Sequence, residues 1–188
     1  MNKDVFNKKD LLSIPNLMGY FRLLLIPFFC LAWFSSFQYS HLIAILILIV
    51  STITDFLDGL IARKFNMITE FGKFLDPLAD KLTHGAIAIC LCFSYRPLIY
   101  LLILMAIKEG LMALFGIINL KHQVKLDGAK WYGKVCTASL FLLLCFLVLF
   151  HPVSPKYSTP LILIVMVIMF FTLLFYLITF YQMRKNWH

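Results

Sequence analysis

Residues 54–81 read TDFLDGLIARKFNMITEFGKFLDPLADK, and they begin at the end of LIAILILIVSTIT (42–54), a run apolar enough to be read as membrane-spanning. Four aspartates in such surroundings demand an explanation. Insertion scales put each acidic residue at roughly 2.5 to 3.5 kcal/mol at the centre of a spanning helix, so four left bare would cost something near 10 kcal/mol. On a helix advancing about 100 degrees per residue, Asp55, Asp58, Gly59, Ala62 and Arg63 fall at roughly 0, 300, 40, 340 and 80 degrees and share one face. Gly72, Asp76 and Asp80 recur at i, i+4 and i+8 and share a second. A turn of about seven or eight residues between the two helices lets them run antiparallel with the acidic faces opposed.

Composition sets the context. The chain has 188 residues, of which 62% are hydrophobic and 14% charged, with a mean hydropathy of +0.89; a soluble domain carries about one quarter charged residues. The expected fold class is an all-α integral membrane protein, one domain over 1–188. Six helices are predicted at about 17–37, 41–62, 72–95, 97–119, 131–150 and 158–181. Residues 1–15 form an N-terminal segment whose mixed basic and apolar residues leave a short interfacial helix open. The first apolar segment runs past signal-peptide length with no small-residue cleavage site, so it reads as a retained helix.

Charge gives the orientation. Lys3, Lys8 and Lys9 precede the first span, Arg63, Lys64 and Lys73 surround the 2–3 turn, Lys121, Lys125, Lys130 and Lys134 mark the 4–5 loop, and Arg184 and Lys185 end the chain. Only Arg96 and Lys156 lie on the other side, so both termini and the aspartates are expected at the cytoplasmic face. The net charge of +8 fits loops beside anionic headgroups, or a site for anionic substrates, better than nucleic acid. Cys30, Cys90, Cys92, Cys136 and Cys145 fall within apolar segments without a C-x-x-C pair and read as packing residues.

The aspartates need a counter-charge. Oxygen-only ligands at this density suit hard divalent ions such as magnesium, calcium or manganese, and two ions bridged by shared aspartates would satisfy them. Gly59, Ala62 and Gly72 leave the acidic face open to something flat, and Arg63 offers a planar fork for phosphate oxygens. Together these read as a nucleotide diphosphate site. A cation transporter lined by aspartates would account for the carboxylates but gives Gly59, Ala62 and Arg63 no role.

The pattern D55-x-x-D58-G59-x-x-A62-R63, eight residues, then G72-x-x-x-D76-x-x-x-D80, resembles the signature of the CDP-alcohol phosphotransferases, membrane enzymes that make phospholipids. Eight fixed positions at about 6% each match a given start by chance with a probability on the order of 10⁻¹⁰. The resemblance implies that Asp55, Asp58, Asp76 and Asp80 hold two divalent cations, Mg²⁺ or Mn²⁺, on the diphosphate of a CDP-linked lipid. It implies that Asp58, Gly59, Ala62, Arg63 and Gly72 receive the CDP part, that Asp80 is also the general base, and that the protein is a homodimer.

Further text narrows the branch. IPNLMGYFR (14–22), DPLADK (76–81) and GKVCT (133–137) are most similar to the phosphatidylglycerophosphate synthases and nearly as similar to the cardiolipin synthases. Gly19 departs from that pattern, which has threonine there, and Gly116 stands where an arginine often follows. The first branch implies CDP-diacylglycerol as donor and glycerol 3-phosphate as acceptor; the alternative acceptor is phosphatidylglycerol. A phosphate-bearing acceptor calls for additional cations, for which Arg22, Lys81, Lys108, Lys130 and Lys134 are the candidates. Lys108 beside Glu109 also reads as a neutralised structural pair, and His84 as a packed histidine.

Overall fold

The computed structural model describes residues 12–121 and 130–184. Most of the N-terminal segment, and with it Lys3, Lys8 and Lys9, lies outside the described residues, as do Lys125 and Lys185. Six helices account for nearly everything else: α1 (Ile14–Phe34), α2 (Ser40–Lys64), α3 (Glu70–Cys92), α4 (Leu98–Lys121), α5 (Trp131–Leu149) and α6 (Pro155–Arg184). No strand occurs among the described residues. Each helix overlaps its predicted span, with ends displaced by a few residues.

Five of the six, all but α3, are long and apolar enough to cross a membrane. The exception has a plain cause: Lys73, Asp76, Asp80 and Lys81 interrupt the apolar run of α3. Large apolar side chains such as Leu24, Phe28, Leu31, Leu46, Phe56 and Phe170 are exposed on the helix surfaces, the distribution expected where hydrocarbon rather than water is the solvent.

The helices divide into two compact units, the first ending at Cys90 and the second beginning at Leu91. In the first, α1 packs along α2, and Phe29, Ala44, Leu48, Leu75, Ala79 and Ile87 form its buried apolar interior. In the second, α6 packs against both α4 and α5. Phe115 stacks on Phe180 with ring centroids 5.1 Å apart, and Tyr132 meets Tyr176 edge-on at 4.7 Å. Its loops are tied by side chains: the Val153 amide donates to the Tyr95 hydroxyl at 2.7 Å.

The turn from α2 into α3 decides what faces what. It is shorter than the sequence suggests, five residues from Phe65 to Thr69. Asn66 takes the left-handed conformation, with φ of 52°, while the Met67 amide donates back to the Ala62 carbonyl at 3.0 Å. This is a Schellman ending with asparagine where glycine is commoner. Thr69 then caps α3, its hydroxyl accepting the Gly72 amide at 2.9 Å. Helix stop, reversal and helix start thus fit into one short segment.

Asn66→Val should cost about 1–2 kcal/mol, because a β-branched residue resists positive φ, whereas Asn66→Gly should be neutral or better. Thermal unfolding of the detergent-solubilised protein checks this; equal midpoints for the two variants would contradict the assigned turn.

Candidate functional site

The site is built on the first unit, from one residue of α1, two of α2 and two of α3. Arg22 lies in the third turn of α1, and its side chain is only 2% exposed. Its Nη2 donates to Asp58 Oδ2 at 2.8 Å and its Nη1 to Asp80 Oδ1 at 2.6 Å; Nη1 also pairs with Asp55 Oδ1. One guanidinium therefore gathers three carboxylates from two helices. Asp58, 5% exposed at its side chain, is the deep member, whereas Asp55 and Asp80 remain 49% and 40% exposed. The cluster has a closed floor and an open side.

Asp76 completes the set differently. It lies within electrostatic range of Arg22, Asp55 and Asp58, but its Oδ1 is buried with no hydrogen-bond partner. A buried carboxylate oxygen left unpaired is costly, and such an atom beside three other carboxylates suits a cation ligand. Among the described residues, no three acidic, histidine or cysteine side chains are spaced to hold one ion as they stand. The fit is one of donor chemistry: four carboxylates, oxygen only, suiting a hard divalent ion.

Small residues fix how closely the helices approach. At Gly72 an added Cβ would lie 2.7 Å from Asn16 Oδ1 and 3.0 Å from Thr69 Oγ1, and Asn16 Nδ2 donates to that same Thr69 hydroxyl at 3.2 Å. Asn16, 1% exposed, thereby latches the first turn of α1 onto the start of α3. Gly72 is thus occupied by a neighbouring helix rather than open. Gly19 is tight as well, its Cβ position 2.9 Å from Leu75 Cδ2 and 4.0 Å from Asp76 Oδ1. Gly59 is the open one: an added Cβ would meet only Arg63 Nη2, at 3.8 Å. Ala62 is half-buried beside it and Arg63 is exposed in the last turn of α2.

The remaining candidates are scattered. Lys81 is exposed on α3 next to Asp80. In the second unit, Lys108 is buried and donates to Glu109 Oε1 at 2.5 Å, Lys130 precedes α5 as its N-cap residue, and Lys134 is exposed in its first turn. Lys108 therefore has its charge matched locally.

Sequence reasoning places Arg22 on acceptor phosphate and gives Asn16 no part. Both residues stand in the opening IPNLMGYFR, but six residues turn a helix through about 600 degrees and leave them on different faces, so no spacing within α1 points to Thr69 as the partner of one and Asp55, Asp58 and Asp80 as the partners of the other.

Gly72→Ala should destabilise by about 1–3 kcal/mol through overpacking, and Asn16→Ala in the same chain should recover part of that loss. A thermal-unfolding double-mutant cycle tests the latch; strictly additive effects would refute it.

Comparison with known proteins places residues 12–178 on the family model described as CDP-alcohol phosphatidyltransferase. Among curated relatives, the CDP-diacylglycerol–glycerol-3-phosphate 3-phosphatidyltransferase of Escherichia coli K12 is 47% identical over 70 residues, 37% of this chain and 38% of the relative. The proteins of that name from Pectobacterium atrosepticum and Rickettsia felis are 43% identical over 83 residues and 40% over 79, covering 45% and 44% of their lengths. The matched stretch spans less than half of each of these relatives.

Proposed function

The chain belongs to the CDP-alcohol phosphatidyltransferase family, and on that premise we propose that it transfers a phosphatidyl group from CDP-diacylglycerol to glycerol 3-phosphate, releasing CMP. The observation carrying this reading is the convergence of aspartates from α2 and α3 on one cationic centre with an open side. The choice of acceptor is supported by the name shared by the matched relatives. Lysine and arginine around the 2–3 turn support a cytoplasmic site, with all six helices crossing the membrane and both termini inside.

Asp55, Asp58, Asp76 and Asp80 would hold two divalent ions, Mg²⁺ or Mn²⁺, which when bound supply charge neutralisation for the donor's diphosphate. Gly59 and Ala62 leave a groove for the cytosine ring, and Arg63, exposed at its edge, donates to phosphate oxygens. Gly72, filled by Asn16, serves the site by seating α3 rather than by admitting the ring. Asp80 takes the proton of the acceptor hydroxyl as that oxygen attacks the β-phosphorus; the bond from phosphorus to the CMP oxygen breaks and CMP departs. Its 40% exposure leaves it reachable by a small hydrophilic acceptor. Lys81, the next residue on α3, is suited to that acceptor's phosphate.

Purified protein given CDP-diacylglycerol and Mn²⁺ should form phosphatidylglycerophosphate from glycerol 3-phosphate, with no product from serine or inositol phosphate and none after chelation. Product from phosphatidylglycerol alone would instead assign cardiolipin synthesis. Asp80→Asn should lower turnover by about 10²–10⁴-fold while CDP binding persists; turnover near the parent's would remove Asp80 as the base.

A further inference from the structure

Arg22 is the residue that the proposed chemistry leaves without a task, and its position is specific. Its guanidinium takes one oxygen from each of three carboxylates, Asp55 Oδ1, Asp58 Oδ2 and Asp80 Oδ1. The second oxygen of each carboxylate takes no part in these pairs, and Asp76 Oδ1 has no partner. Behind the guanidinium lies a cavity of about 10 Å³ lined by Leu25, Ile26, Phe29, Ile47 and Leu48 with Ser51 and Thr83. Such apolar backing gives a charged side chain nowhere else to go. A buried guanidinium held this way is a fixture.

The charge balance then sets an order. Four carboxylates against one guanidinium leave three negative charges uncompensated. One divalent ion reduces that to one; a second would overshoot and make the cluster net positive. The overshoot disappears when a diphosphate arrives. We propose that Arg22 is a built-in counter-cation that positions the carboxylates and couples the second metal ion to the donor: the free protein takes one divalent ion tightly, and the other enters together with the CDP diphosphate. Arg22 is thus a positioning residue and makes no contact with acceptor phosphate. This role rests on the functional reading above.

The test is Mn²⁺ binding to detergent-solubilised full-length protein, followed by the electron paramagnetic resonance of free Mn²⁺, with and without CDP. Wild type should bind one ion tightly and a second at least about tenfold more weakly, the second tightening by at least that factor with CDP. In Arg22→Gln the second ion should bind tightly without CDP and lose its dependence on it. Arg22→Lys, which keeps the charge, should restore the wild-type order. Two equal sites in wild type without CDP would overturn the proposal, whatever the variants do. So would an Arg22→Gln protein that keeps CDP-dependent binding. Failure of wild type to bind either Mn²⁺ or CDP would instead refute the functional reading itself, and this role with it.

Discussion

Everything near the candidate site depends on one guanidinium placed among three carboxylates. Arg22 draws Asp55 and Asp58 from α2 and Asp80 from α3 to a common point, and the burial of Arg22 and Asp58 strengthens their pair and makes an unpaired charge there expensive. Without that cation the two acidic faces repel. With it, the same carboxylates are held together, and the free energy of gathering them is met at folding.

The surrounding structure serves this junction. The Schellman ending at Asn66 and the Thr69 cap reverse the chain in five residues, which keeps the motif halves close. Asn16 then ties α1 to the start of α3 through the Thr69 hydroxyl, while Gly72 and Gly19 permit the close approach by lacking side chains. Each glycine in the motif answers to a different constraint. Gly72 is filled by a neighbouring helix, and Gly59 faces open space beside Arg63. The sequence pattern reads both as open, and the structure sets a neighbouring side chain against one of them.

The second unit contributes its own buried charge, Lys108 against Glu109. That pair is made between adjacent residues. The contrast with Arg22 is informative. Adjacent opposite charges neutralise each other locally, whereas a charge whose partners lie 33, 36 and 58 residues away organises tertiary structure.

From its order of residues alone, this protein declared an all-helical membrane class, six helical segments, the family signature and the acidic positions at i, i+3 and i, i+4. All of these are local or periodic properties, readable because hydropathy and helical spacing need no partner. What only the tertiary structure decided was which cation meets the aspartates, which glycine is packed and which is open, and how short the turn is. Those depend on the approach of α1 to α2 and α3, helices whose side chains are distant in sequence, and no periodicity along a single segment encodes that distance.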